Sequence, residues 1–193
     1  MGKSTQSLLT DSVGSFRKNR LTIVTFNYDR SIEHYLHLLV QHRYNLSFTD
    51  AWQLVKDTIP FVHVHGMLGE YPSVSYDKHG IIDEIAKEIK VIHEFSDMDG
   101  KFCSSEFKHA NEHLNNSEVI FSIGFSMASQ NMSRLRFFNE KEVRRRTVKC
   151  AIGRVHGRDR IQMVERLSSF GLTADNLIST ESGAFFVHHA GFQ

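Results

Sequence analysis

Cysteine is scarce: Cys103 and Cys150 stand far apart in 193 residues. That excludes a disulfide framework and any four-cysteine zinc site built from this chain alone. No apolar run is long enough to span a bilayer, and no signal- or transit-peptide pattern appears. The expected location is cytoplasmic, with no membrane partner. A formal net charge of +1 leaves no global footprint for nucleic acid. The local cluster Arg144-Arg145-Arg146 is expected to be a solvated helix end rather than a phosphate site. No low-complexity linker or internal repeat divides the chain. Hydrophobic residues at 40% and charged ones at 23% are ordinary globular usage, enough for one domain with a core.

Apolar runs alternate with helical patterns. Residues 1–20 are polar and read as an arm or a short irregular helix, leaving 21–193 as a single domain. Leu21 to Val24 reads as a buried strand that ends in polar residues, Thr25 and Asn27. A helix then follows to about His42, with Asp29 or Ser31 as N-cap and Ile32, Leu36, Leu39 and Val40 as its apolar face. A second helix is expected from Asp50, its N-cap, through Trp52, Leu54 and Val55 to the break at Pro60. Phe61–Gly66 reads as the second strand, with Val62 and Val64 on one face and His63 and His65 on the other.

Further on, Ile82, Ile85, Ile89 and Ile92 repeat at helical spacing. Another helix, 104–115, leads into the strand 119–124. The segment 131–142 reads as a helix burying Met132, Leu135 and Phe138, and 147–152 as a strand ending in Gly153. A helix then carries Ile161, Val164, Leu167 and Phe170 inward to a Gly171 cap. Short strands are expected at 176–180 and 184–187. This order predicts an α/β domain, Rossmann-like and doubly wound, with a mainly parallel sheet and helices on both faces.

Polar groups recur where the strands end: Asn27 and Asp29, His65-Gly66, Gly124 to Ser126, and Gly153. In one parallel sheet those ends share an edge, where open α/β folds hold nucleotides. Thr25-Phe26-Asn27-Tyr28-Asp29 with Ile32-Glu33, then His65-Gly66, then Ile123-Gly124-Phe125-Ser126-Met127, resembles the sirtuin-like NAD-binding domains. The likeness is to the bacterial branch that hydrolyses NAD+ in anti-phage defence, over about residues 20–180.

The resemblance implies that Asn27 and Asp29 hold the nicotinamide and its ribose beside the scissile bond. It implies that His65 is the catalytic histidine at the ribose hydroxyls. Thr25, Gly124, Phe125 and Ser126 would complete the cofactor contacts, Gly124 and Ser126 on the ribose and phosphate side. The implied activity is cleavage of NAD+, as substrate, to nicotinamide and ADP-ribose.

Two departures qualify it. The family's glycine-rich strand-to-helix turn, which cradles pyrophosphate, has no counterpart here, since Val13-Gly14-Ser15 follows no strand. A first strand, turn and helix is therefore expected to be missing: the chain reads as a fragment, as the product of a split or decayed gene, or as a domain completed by a partner chain, and a homo-oligomer is the other expected assembly. Without it the alternative is an inactive module that binds an ADP-ribose-like ligand or serves assembly. The deacylases' zinc ribbon is also absent, so no zinc is expected.

Twelve histidines invite a metal reading. His34 and His37 share a helix face, and His188-His189 lie near the end. No HExxH or cysteine–histidine spacing accompanies them, so capping and solvated roles are expected. His63 is the exception, placed to line the same pocket as His65. Ser126 lacks a Gly-x-Ser-x-Gly elbow and reads as a ligand contact, not a nucleophile. Cys150 reads as a small buried hydrophobe.

Overall fold

A computed structural model describes residues 11–73, 105–125, 129–135, 147–151, 157–168 and 171–178. The chain is α/β with parallel strands, divided into two compact units; residues 11–73 belong to one, and the described residues from 107 onward to the other. The helix expected on Ile82 to Ile92, the residues Ser126, Phe138 and Phe170, and the strand at 184–187 lie outside the described residues.

In the first unit a short helix α1, Val13–Phe16, is capped by Ser12, whose hydroxyl accepts the Ser15 N–H at 3.2 Å. Phe16 is fully buried and Val13 packs against the same core, so this stretch is anchored at both ends of α1. Strand β1, Ile23–Thr25, runs parallel to β2, Phe61–His63, with Ile23 opposite Phe61 and Thr25 opposite His63. A parallel pair needs a crossover, and here it is two helices, α2 (Ser31–Tyr44) and α3 (Phe48–Thr58).

The α2 stripe that faces inward is Glu33, Leu36, His37 and Val40. That is helical spacing, rotated from the expected face. Leu36 and Val40 are buried as expected, and Leu39 packs against the core, but Ile32 is exposed. The caps differ as well. Arg30 stands at the α2 N-cap without a side-chain capping bond to the helix, while the Asp29 carboxylate accepts the Ser31 N–H at 2.9 Å. Ser47, not Asp50, caps α3; its hydroxyl accepts the Asp50 N–H at 3.1 Å and donates to the Asp50 carboxylate at 2.6 Å. Asn45 ends α2 in the left-handed region at φ 50°, which a short amide side chain tolerates. Phe16, Leu36, Val40, Ala51, Leu54, Val55 and Ile59 form the core between the helices and the strands.

Helix α4, Ser105–Asn116, belongs to the second unit from Phe107 onward and buries Phe107 and Ala110. It leads into β3 (Val119–Ile123), which pairs in parallel with β4 (Thr147–Ala151), itself parallel to β5 (Leu177–Ile178). Between them lie α5, Ser129–Leu135, and α6, Gly157–Ser168. Met132 and Leu135 are buried as expected, and so is Leu167, but Ile161 on α6 is 60% exposed. Gly171 ends that region at φ 76°, a conformation that glycine adopts without strain. The Asn176 side chain donates to the Val148 carbonyl at 2.9 Å and accepts the Thr173 N–H at 2.8 Å, fixing the 3-10 turn before β5. Cys150 is fully buried beside Ser122, and burial pushes its thiol up to about 12. It behaves as the inert hydrophobe its surroundings suggest.

The expected single sheet is thus realised, among the described residues, as a two-stranded and a three-stranded parallel sheet.

The two faces of α2 and α3 predict opposite outcomes. Leu54→Ala empties a fully enclosed site and is expected to cost about 2–5 kcal/mol in urea unfolding. Ile32→Ala, on the exposed side of α2, is expected to stay within about 0.5 kcal/mol of the parent.

Candidate functional site

The carboxyl edge of β1 and β2 gathers most of the sequence-predicted residues of the first unit. Thr25, the last residue of β1, is buried, and its Oγ1 accepts the Asn27 N–H at 3.1 Å. That bond turns the chain sharply out of the sheet. Asn27 and Asp29 follow as exposed residues on either side of Tyr28. Among the described residues the Asn27 carboxamide takes no hydrogen bond. The Asp29 carboxylate is held below its usual value, first by the Ser31 hydroxyl and N–H and then by the positive charge of His63.

Strand β2 stops at His63, two residues short of His65. The Val64 N–H still donates to the Thr25 carbonyl at 3.1 Å, and the Gly66 N–H closes a turn onto the His63 carbonyl at 3.1 Å. Gly66 takes φ 84°, which the turn requires and glycine permits. His65 therefore sits in a turn rather than on a strand face. It is only 3% exposed, with its ring centroid 5.5 Å from Phe26 and 6.3 Å from Tyr28. The two exit loops are also bonded directly, Leu68 N–H to Tyr28 carbonyl at 2.9 Å. Thr25, Asn27, Asp29 and His65 are thereby brought together.

Two residues matter here that the sequence motif did not assign. His63 is buried; its Nδ1–H donates to the Asn27 carbonyl at 2.9 Å, and its Nε2 meets the buried Glu33 carboxylate at 2.5 Å. With Nδ1 committed as a donor to the Asn27 carbonyl, Nε2 and the Glu33 carboxyl share one proton across the short contact. Burial alone would lower the His63 pKa. The hydrogen bonds to Glu33 and Asn27, with the charges of Glu33 and Asp29, outweigh it and raise the value above 6.5. Sequence signals for both existed: Glu33 lies in the quoted motif, and His63 alternates with His65. Neither signal named the partner.

A second histidine has the opposite character. His37 is fully buried among Phe48, Trp52 and Tyr71. Its Nε2–H donates to the Phe48 carbonyl at 2.7 Å, and its Nδ1 accepts the Tyr71 O–H at 2.6 Å. Burial pushes its pKa down, only partly opposed by the Phe48 carbonyl. His34 approaches the same phenol at 3.4 Å. These contacts lock the segment after β2 onto α2 and α3.

The remaining predicted residues belong to the other unit. Gly124 follows β3 at φ 63°, and a Cβ there would meet nothing within 4 Å among the described residues. Its requirement is backbone conformation, not crowding. Phe125 is half-buried beside it, and Ser126 lies outside the described residues. Among the described residues no cluster of three or more metal-ligating side chains occurs, and no helix is long and apolar enough to cross a membrane. Comparison with family models, curated proteins and solved structures gives no match.

Opposite shifts predict a stability optimum. The contribution of His63 is complete below 6.5 and lost as pH rises through its raised value. That of His37 is complete above 6.5 and lost as pH falls below it, because the neutral ring must then charge. Asp29 contributes fully above 3.8 and loses that contribution as pH falls through its lowered value. Urea midpoints measured from mildly acid to mildly alkaline pH are expected to peak near 6.5, and His63→Gln is expected to remove the decline that begins just above 6.5 while leaving the acid one.

Proposed function

We propose that the carboxyl edge of β1 and β2 is a dinucleotide site, and that the chain is a sirtuin-like NAD+ glycohydrolase. The observation that carries this reading is the exposed Asn27 carboxamide, without a hydrogen bond among the described residues, beside Asp29 and the His65 turn. The motif order described above supplies the rest of the argument.

Breaking the bond between nicotinamide and ribose develops oxocarbenium-like positive charge. A carboxylate held ionised, as Asp29 is, stabilises that charge. A fixed carboxamide such as Asn27 orients the leaving nicotinamide. His65 accepts a proton from a ribose hydroxyl or from the attacking water. A partner chain supplying a phosphate cradle, and a role in phage defence, belong to the same proposal.

A second reading has its own observation. His65 is enclosed by Phe26 and Tyr28, and the Asp29 carboxylate already accepts the Ser31 N–H. Both facts suit a non-catalytic module in which these groups serve the turn.

NAD+ consumption by the purified chain separates the two. The hydrolase reading expects nicotinamide and ADP-ribose in equal amounts, and a loss of about a hundredfold or more in His65→Ala. No turnover, with no heat of binding for NAD+ or ADP-ribose, would leave the non-catalytic module.

A further inference from the structure

We propose that Glu33 and His63 are positioning residues: the buried pair clamps the Asn27 carbonyl and so sets where the Asn27 carboxamide and Asp29 carboxylate meet a bound dinucleotide. This rests on the dinucleotide reading of the site and assigns it two further residues.

The clamp joins three separate pieces of chain. Glu33 comes from the first turn of α2, His63 from the last position of β2, and Asn27 from the turn after β1. Both ring nitrogens of His63 are used, one on the carbonyl and one on the carboxylate. Neither side chain reaches solvent enough to touch a ligand, with exposures of 4% for both residues. Their influence is therefore indirect, through the backbone of a residue whose own side chain is exposed.

A structural pair alone is a weaker account. A buried ion pair is often no more stabilising than well-packed apolar residues of the same volume. What it adds is direction, and here the direction ends on the carbonyl of Asn27. The charged groups that face His63 are Glu33 from α2 and Asp29 from the turn. Asp29 is itself one of the residues offered to the ligand, so the charge on His63 is felt at the exposed surface. A neutral His63 would keep its bond to Asn27 but lose both attractions, loosening the turn at its hinge.

The test uses the full chain labelled with 15N and 13C, followed by NMR from pH 5 to alkaline pH, together with pH profiles of NAD+ turnover. The expected result is that the Asn27 carbonyl resonance moves in step with loss of the His63 proton. Glu33→Gln keeps a hydrogen-bonding amide without its charge. It is expected to lower the His63 midpoint by about one pH unit or more. It is expected to lower kcat by about ten- to a hundredfold, leaving KM within about twofold. The alkaline limb of the rate profile is expected to move down with the midpoint. His63→Gln, which keeps a donor toward Asn27, is expected to abolish that limb.

An Asn27 resonance that stays still while His63 titrates would overturn the clamp. So would Glu33→Gln with unchanged kcat and an unshifted limb, even with NAD+ turned over normally. A parent chain that neither consumes NAD+ nor binds ADP-ribose would remove the dinucleotide reading and the positioning role with it, while the resonances would still show whether the clamp exists.

Discussion

Burial of the Glu33–His63 pair is the constraint on which the first unit depends. Two charged side chains removed from water are tolerated only when each polar atom finds a partner. Here the imidazole satisfies the carboxylate on one side and the Asn27 carbonyl on the other. The pair thereby fixes three relations at once: the rotation of α2, the end of β2, and the path of the turn after β1. Removing either partner leaves the other charge enclosed, which is why the geometry tolerates little drift.

The same constraint explains why α2 faces the core as it does. Its inward stripe carries two polar residues, Glu33 and His37, at positions where helical spacing calls for apolar ones. Leu36 and Val40 share that stripe, and Ile32 is displaced to the outside. An apolar count along the helix favours the face with Ile32. The actual face wins because Glu33 and His37 have partners waiting on β2, α3 and the segment at Tyr71.

This marks the limit of what was legible in the chain. The alternation of strands and helices, the crossover before β2, the burial of Cys150 and the stop at Gly171 follow from local pattern alone. Helix ends shifted by a few residues because Ser47 and Asn45 compete locally as caps, which pattern registers poorly. Thr25, Asn27, Asp29 and His65 were picked out by their places at strand ends, and all four lie at the carboxyl edge of β1 and β2. Their supports were not recognisable, because His63 and Glu33 are 30 residues apart and Tyr71 and His37 are 34 apart. A buried polar residue looks like a surface one until its partner is known. The grouping of the described strands into two sheets was likewise hidden, since parallel pairing is a long-range choice.

The aromatic wall around His37 has a practical consequence. Trp52 is the chain's single tryptophan, with its ring centroid 4.7 Å from Tyr71 and 5.9 Å from His37. Its emission therefore belongs to the first unit alone, and a charged imidazole forming beside it would act as a local quencher. The protein thus carries a built-in optical reporter that separates the behaviour of this unit from that of the three-stranded sheet, without any label being attached.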